Sequence, residues 1–185
     1  MALTPSSMLP LGTKAPNFNL FNTINQQYLS LNQVKKDAGL LVMFICNHCP
    51  YVKHILEGLI TLGHDYLDKE IGIVAICSND AITHPDDSPE KMQQLANKKQ
   101  FPFPYLHDES QQVARAYHAE CTPDFFLFDH NLSCVYRGQF DGARPGNSTP
   151  ITGQDLRAAM DALLSNTSIS SEQKPSIGCN IKWKN

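Results

Sequence analysis

The sequence lacks a long hydrophobic run, a cluster of positive charge and a secretory signal. Its longest dense apolar segment, Gly39 to Cys46, is far shorter than the ~18 residues that a membrane-spanning helix needs. Lysine and arginine are scattered and the formal net charge is −3, which argues against binding to a nucleic-acid backbone. Residues 1–7 contain no positively charged region followed by an apolar one. We therefore expect a cytoplasmic protein that contacts neither membrane nor nucleic acid.

Cysteine is too sparse for a small fold that disulfides hold together. The 185 residues include six cysteines, and a chain of this length can stabilise itself through a hydrophobic core. In a reducing compartment, a pair of cysteines is more often catalytic or metal-binding than structural. The six thiols are therefore the first candidates for chemistry: Cys46, Cys49, Cys77, Cys121, Cys134 and Cys179.

Hydrophobic periodicity predicts alternating strands and helices. Uninterrupted or alternating apolar segments predict strands at 14–20, 39–45, 71–77, 124–128 and 132–136, the last two forming a hairpin. Apolar residues spaced three and four apart, or short segments after capping residues, predict helices at 50–66, 88–99, 110–118 and 152–164. We expect Thr152, with Asp155 three residues on, to cap the last helix. The order of elements predicts an α/β fold in which helices flank a central mixed sheet.

The end of the chain differs in composition from the rest. Residues 165–176 are polar and without periodicity, which predicts a mobile linker. We therefore divide the chain into a domain at 1–165, with an N-terminal strand extension, and a linker and tail at 166–185 that carry Cys179. At ~3.3 Å per residue the segment from Ser165 to Gly178 can extend up to ~45 Å.

The tail could bring a further thiol to the site. Our hypothesis is that it docks through Ile177, Ile181 and Trp183 and presents Cys179 as a resolving or regulatory thiol. The alternative is an ordered tail that only covers apolar surface.

Cys49 lies where a buried strand gives way to a helix, in the segment Cys46-Asn47-His48-Cys49-Pro50. Proline favours the first position of a helix, so Pro50 places Cys49 at the helix cap. The unpaired amides and the dipole there favour thiolate and can lower the pKa of a cysteine from ~8.5 to about 3.5–7.5. A protonated His48 would lower the pKa further. Cys49 is therefore the candidate nucleophile, provided that its sulfur is reachable, and Cys46 is close enough to form a disulfide if the geometry permits.

A second motif, Cys121-Thr122-Pro123-Asp124, directly precedes a predicted strand. Proline has no amide proton to give to a sheet, so it is suited to the first residue of a strand. A cis bond before Pro123 would place a backbone edge beside the helix that Cys49 opens, although most bonds before proline are trans.

These motifs resemble those of the thioredoxin superfamily. Within it, the chain is similar to the redoxin branch that contains the alkyl hydroperoxide reductase and thiol-specific antioxidant (AhpC/TSA) proteins, and there to the peroxiredoxin-like thioredoxin-domain group. Four segments carry the similarity: Asn-His-Cys-Pro-Tyr-Val at 47–52, Cys-Thr-Pro-Asp-Phe at 121–125, Val-Tyr-Arg-Gly-Gln at 135–139 and Pro-Ser-Ile-Gly-Cys-Asn-Ile-Lys-Trp-Lys at 175–184. The resemblance implies a thioredoxin-like fold over 1–165, with Cys49 in the place of the nucleophile and Pro123 in that of the cis-proline.

The resemblance also indicates the other site residues. Cys49-Pro50-Tyr51 is similar to the glutaredoxin motif Cys-Pro-Tyr-Cys, but Val52 replaces its second cysteine. Any resolving thiol is therefore Cys46, Cys179 or one from another molecule. Substrate is expected to meet the loop before the helix and the proline motif, at Asn47, His48, Pro50, Tyr51, Thr122 and Pro123. No cofactor is implied.

Two departures separate the chain from true peroxiredoxins. Those proteins place Thr or Ser three positions before the peroxidatic cysteine, where this chain has Cys46, and their arginine near the later strand has no counterpart beside Thr122 and Pro123. Because peroxide needs donors that stabilise the charge on its oxygens, thiol–disulfide exchange is favoured. We expect an oxidoreductase whose substrate is a disulfide-bearing protein or small molecule, or alternatively a peroxide. Its reducing partner would be one such as a thioredoxin reductase system or glutathione.

Two alternatives stay open at this point. In a thiol peroxidase with an antioxidant role, Cys49 would become a sulfenic acid before resolution. In a non-catalytic metal- or redox-sensing module, Cys46, His48, Cys49 and His54 would be the candidate ligands. A second ligand pair at zinc-type spacing is missing from the sequence, so we expect no metal site. The residues interpreted as structural or solvated are Cys77, Cys121, Cys134, Arg137 and Arg144.

Overall fold

Strands and helices alternate through the middle of the chain. In the computed structural model, which describes residues 3–184, the strands are β1 Leu3–Pro5, β2 Asn19–Asn22, β3 Gln27–Ser30, β4 Gly39–Phe44, β5 Ile71–Cys77, β6 Tyr105–His107, β7 Cys121–Thr122, β8 Asp124–Asp129, β9 Cys134–Gly138 and β10 Ile177–Asn180. The helices are α1 Leu31–Val34, α2 Pro50–Asp65, α3 Pro89–Lys99, α4 Gln112–Ala116 and α5 Gln154–Leu164, with a 3-10 turn at Pro85–Asp87. Within residues 3–184, no helix is long and apolar enough to cross a membrane.

Seven strands form the main sheet in the order β3-β2-β6-β5-β4-β8-β9. β4 is parallel to β5 and antiparallel to β8, so the sheet is mixed as predicted. Every residue of β4 is buried. Leu41 and Met43 join one core cluster, whereas Leu40, Val42 and Phe44 join the other. Because successive side chains of a strand point to opposite faces, the uninterrupted apolar run reflects burial on both sides of the sheet.

Helix α2 carries one half of the candidate site. It begins at Pro50, with Cys49 at the cap position, as the sequence predicts. Its buried residues are Val52, Ile55, Leu56, Leu59, Ile60, Leu62 and Gly63. Burial of each large aliphatic side chain contributes about 1.5–3 kcal/mol, so this face fixes the helix on the sheet. The start of α2 is thereby held just beyond the carboxyl end of β4.

A separate three-stranded sheet joins the two ends of the described chain. β10 lies between β1 and β7 and is antiparallel to both. Cys179 is the residue opposite Leu3 on one side and opposite Thr122 on the other. Further along the tail, Ile181 is buried in a core cluster and Trp183 packs against the same cluster. The tail is therefore an inner strand of this sheet.

Two of the predicted elements begin elsewhere in the structure. Of the strand predicted at 14–20, only the last two residues lie in β2, and Lys14 forms an isolated bridge with Ser133. Pro16, between these segments, has no amide proton for a ladder. Helix α5 is capped at Gly153 and not at Thr152. The reason is that the Asp141 carboxylate accepts hydrogen bonds from both of these amides, at 2.6 and 2.8 Å.

Candidate active site

Cys49 lies where the start of α2 meets the loop before β8. The peptide bond between Thr122 and Pro123 is cis. The Sγ of Cys49 lies 3.2 Å from the carbonyl oxygen of Thr122. The two sequence motifs, which are separated by 73 positions, therefore form one site.

Three of the cysteines converge at this point. The Sγ atoms of Cys49 and Cys179 are 2.9 Å apart, and the Sγ of Cys46 lies 3.3 Å from the Oγ1 of Thr122. All six cysteines lie within the described residues, and no disulfide joins any of them. The structure thus brings together the three thiols that the sequence singled out as catalytic candidates.

The pKa of Cys49 is lowered from its ordinary value to about 4. The largest cause is a hydrogen bond with the thiol of Cys46, and a second one with Cys179 acts in the same direction against the cost of burial. The backbone amides of Val52 and Cys179 lower the pKa further, although Cys49 forms no regular capping hydrogen bond. The neighbouring thiols therefore contribute more than the helix amides that the sequence suggested.

The other five cysteines have raised pKa values. For Cys46 the first cause is its hydrogen bond to Cys49, followed by burial. Burial is the first cause for Cys179, whose pKa rises to about 12, and for Cys134, whose pKa rises to about 11. Burial also raises the pKa of the two remaining thiols, Cys77 and Cys121. At neutral pH, Cys49 is therefore the ionised thiol of the site.

Asp87 organises the loop before Cys49. Its carboxylate accepts hydrogen bonds from the amide of Asn47 at 2.7 Å, from Nδ1 of His48 at 2.5 Å and from Nδ2 of Asn79 at 2.8 Å. Burial alone would raise the pKa of Asp87, but the hydrogen bonds from His48 and Asn79 hold it below its ordinary value. Two residues expected to contact substrate are thus tied to a carboxylate. No motif or periodicity in the sequence pointed to Asp87.

The same loop contains the best candidate ligands for a metal ion among the described residues. Cys46, His48 and Asp87 each present a ligand atom, and these atoms lie within 4.8 Å of one another. His54, which the sequence offered as a fourth ligand, does not belong to this group. The Asp87 carboxylate already accepts three hydrogen bonds from the protein. The Asp87 oxygens are therefore satisfied without an ion, whereas Nε2 of His48 is buried with no hydrogen-bond partner.

Strand β10 covers the sulfur of Cys49. The exposed fractions of Cys46, Cys49 and Cys179 are 1%, 0% and 3%, so the requirement for a reachable sulfur is not met while β10 is docked. A cavity of about 10 Å³ is lined by residues that include Tyr51, Pro123, Arg144 and Ile177, and none of the three cysteines belongs to its lining. Any reaction of Cys49 with a substrate therefore requires that β10 move away from β7.

Asp124 is a buried carboxyl group immediately after the cis-proline, and the motif that contains it did not indicate a role for the carboxyl group. It is 0% exposed. Its Oδ2 accepts a hydrogen bond of 3.1 Å from the hydroxyl of Ser6, and its Oδ1 accepts one from its neighbour's amide at the same distance. Burial outweighs these bonds and raises the pKa of Asp124 to about 8. The group is therefore largely protonated in the folded protein near neutral pH.

Replacing Asp124 by asparagine is expected to reduce the pH dependence of the free energy of unfolding. A carboxyl with a raised folded-state pKa contributes stability below its unfolded pKa of ~3.9, which is lost as the pH rises towards about 8. One such group changes stability by about 1.4 kcal/mol per pH unit, and asparagine keeps the shape without ionising. Urea unfolding at several pH values measures the slope. The exposed Asp37→Asn should leave it unchanged, and equal slopes in wild type and Asp124→Asn would contradict this account.

The fold and the site define a thioredoxin-like protein of the redoxin class, with a cysteine at a helix cap packed against a cis-proline loop. The sequence profile of the AhpC/TSA family matches residues 11–137. The chain belongs to the AhpC/TSA family.

Solved structures agree with this class. A protein from Geobacillus kaustophilus, described as an uncharacterized conserved protein, is 54% identical to this chain with a TM-score of 0.98. The match covers 100% of this chain and 97% of the Geobacillus protein. A hypothetical protein from Sinorhizobium meliloti is 46% identical with a TM-score of 0.95, covering 98% of both chains. The thioredoxin domain of a thiol-disulfide oxidoreductase from Bacteroides vulgatus, at 17% identity and a TM-score of 0.62, covers 81% of this chain and 97% of its own and shares the fold. None of the curated proteins compared by sequence matches the chain.

Proposed function

We propose that the protein is a thiol–disulfide oxidoreductase in which Cys49 attacks the substrate and Cys179 resolves the mixed disulfide. The observation that carries the proposal is the distance of 2.9 Å between the two Sγ atoms. The pKa of Cys49 is lowered to about 4 and that of Cys179 is raised to about 12. At neutral pH, Cys49 is therefore in the nucleophilic thiolate form, whereas Cys179 is protonated before the mixed disulfide forms.

The reaction has two steps. The Cys49 thiolate attacks one sulfur of a substrate disulfide, the substrate S–S bond breaks, and the leaving thiolate takes up a proton. Cys179 then loses its proton, and its sulfur attacks that of Cys49, releasing the second substrate thiol. The substrate gains two electrons and the protein ends with a Cys49–Cys179 disulfide. A reducing partner such as a thioredoxin reductase system or glutathione restores the two thiols, as a reducing compartment such as the cytoplasm would allow.

Cys46 is assigned a positioning role and not that of the resolving thiol. Its hydrogen bond is the largest cause of the low pKa of Cys49, and its own pKa is raised by the same bond. The pKa of Cys179 is raised as well, so the choice between the two thiols rests on the 2.9 Å between the Sγ atoms of Cys179 and Cys49.

Disulfides are favoured over peroxides as substrates. A peroxidase needs donors near the attacked oxygens, and the side chains of Arg137 and Arg144 are engaged with carbonyls of the protein. Nε of Arg137 donates to the carbonyl of Leu9, and Nη1 of Arg144 donates to the carbonyls of Asp141 and Ala143. A stopped-flow peroxide titration separates the two activities, since a peroxidase would consume peroxide far faster than an ordinary thiol does.

The assignment of the resolving thiol is tested with Cys179→Ser. The reduced protein is mixed with a disulfide substrate, quenched by alkylation and mapped by mass spectrometry. Wild type is expected to give a Cys49–Cys179 peptide, whereas Cys179→Ser should accumulate the mixed disulfide on Cys49 because serine cannot displace it. The matched control, Cys46→Ser, should still give the Cys49–Cys179 peptide. Recovery of a Cys46–Cys49 disulfide as the wild-type product would overturn the assignment.

A further inference from the structure

Strand β10 is held at the site as an extended ligand would be. It pairs antiparallel with β7, with Cys179 opposite Thr122 and Asn180 opposite Cys121. This register places the Sγ of Cys179 2.9 Å from that of Cys49. Addition of an extended segment to a free strand edge is a general mode of peptide recognition, in which main-chain bonds give affinity and side-chain positions give specificity. The tail therefore shows how a cysteine-bearing segment fits against β7.

Gly178 reveals a restriction in this binding mode. A Cβ atom on Gly178 would lie 2.0 Å from the carbonyl oxygen of Thr122 and 3.1 Å from Cδ of Pro123. The first atom belongs to β7 and the second to the cis-proline that follows it. These two residues, which form the wall of the site, therefore leave no space for a side chain at position 178. Any other segment bound in the same register meets the same wall.

Both flanks of β10 are attached to the protein independently of the sulfurs. Before the strand, the hydroxyl of Ser176 donates to the carbonyl of Gly138 at 2.6 Å. After it, the amide of Ile181 donates to the carbonyl of Glu120 at 3.0 Å, and the guanidinium of Arg115 lies 4.3 Å from the ring centre of Trp183. A strand displaced from β7 would therefore stay tethered on both sides, and its return would be intramolecular.

We propose that the edge of β7 binds extended segments of protein substrates in which glycine directly precedes the reactive cysteine, and that β10 is the resident competitor for this edge. The proposal rests on the proposed function and adds its substrate class. A substrate must displace the strand, and the returning strand delivers Cys179 to the mixed disulfide. The apparent affinity for substrate is then the intrinsic affinity multiplied by the fraction of molecules in which β10 is undocked.

The test uses two peptides as thionitrobenzoate mixed disulfides. One has the sequence of residues 175–183, and the other replaces the glycine before its cysteine by alanine. Each rate of thionitrobenzoate release by the reduced full-length protein is divided by the rate with a simple small thiol. We expect the glycine peptide to react at least about tenfold faster, which corresponds to about 1.4 kcal/mol of clash avoided. Equal relative rates for the two peptides, or a faster alanine peptide, would overturn the proposal.

The competition by β10 is tested in the protein itself. Gly178→Ala should weaken docking of the strand and raise the rates with both peptides, while their preference for glycine persists. A variant no faster than wild type would reject the competitor role. The small reagent dithiobis(nitrobenzoate), which carries no peptide, is the reference. If it fails to react with Cys49, judged against Cys49→Ser, the proposed function itself fails; if it reacts while the peptides are not distinguished, only the substrate class is rejected.

Discussion

Replacing Cys49 by serine is expected to lower the rate of disulfide reduction at least about a thousandfold. The thiol of Cys49 has its pKa lowered to about 4, whereas a serine hydroxyl stays protonated at neutral pH and forms no disulfide. Turnover of a model disulfide, with a dithiol as the reductant, measures the loss.

The control for this variant is Cys134→Ser. Cys134 lies in β9 and its thiol donates to the carbonyl of Tyr136 at 3.6 Å, a bond that a serine hydroxyl can also make. The activity of Cys134→Ser should match that of wild type. Turnover by Cys49→Ser within tenfold of wild type would show that another thiol performs the attack.

Replacing Cys46 by alanine is expected to raise the pKa of Cys49 by more than any other single change at the site. The bond from Cys46 is the largest cause of the shift to about 4, and alanine removes the donor. At a pH below the new pKa, each unit of increase lowers the thiolate fraction about tenfold. The alkylation rate of Cys49 is followed by mass spectrometry between about pH 3 and pH 9, and the midpoint of its pH profile is compared between Cys46→Ala and wild type.

Cys46→Ser is the matched variant, because its hydroxyl can still donate a hydrogen bond. It should keep the pKa of Cys49 well below that found in Cys46→Ala. If the two variants titrate alike, or if Cys46→Ala titrates like wild type, the positioning role of Cys46 is wrong.

The sequence predicted those elements whose pattern is local. Neighbouring residues alone predict the apolar strands β4 and β5 and the helices α2 and α3, which begin at prolines. The structure confirms these four elements. β1 and β10 could not be found in this way, because each is short and gains its partner from the opposite end of the chain. The capping of α5 by Asp141 is also non-local, since the carboxylate lies in the preceding loop.

The site was predictable to a similar extent. Pro50 was sufficient to identify Cys49 as the helix cap, and the cis-proline motif identified the opposite wall. The physical origin of the low pKa was not predictable, because it depends on the contact between Cys46 and Cys49 more than on the amides of α2. Asp87 belongs to no motif, and Asp124 was named only as the last residue of the proline motif. The roles of both follow from burial and from the groups that the fold places around them.

The pairing of β1 with β10 links Leu3, Thr4 and Pro5 to the reactivity of Cys49. These residues supply one of the two backbone edges that hold β10 in place. A variant without residues 3–5 would hold β10 from one side only, by its pairing with β7. A truncation or substitution that disturbs these residues is therefore a chemical variable in any measurement of cysteine reactivity.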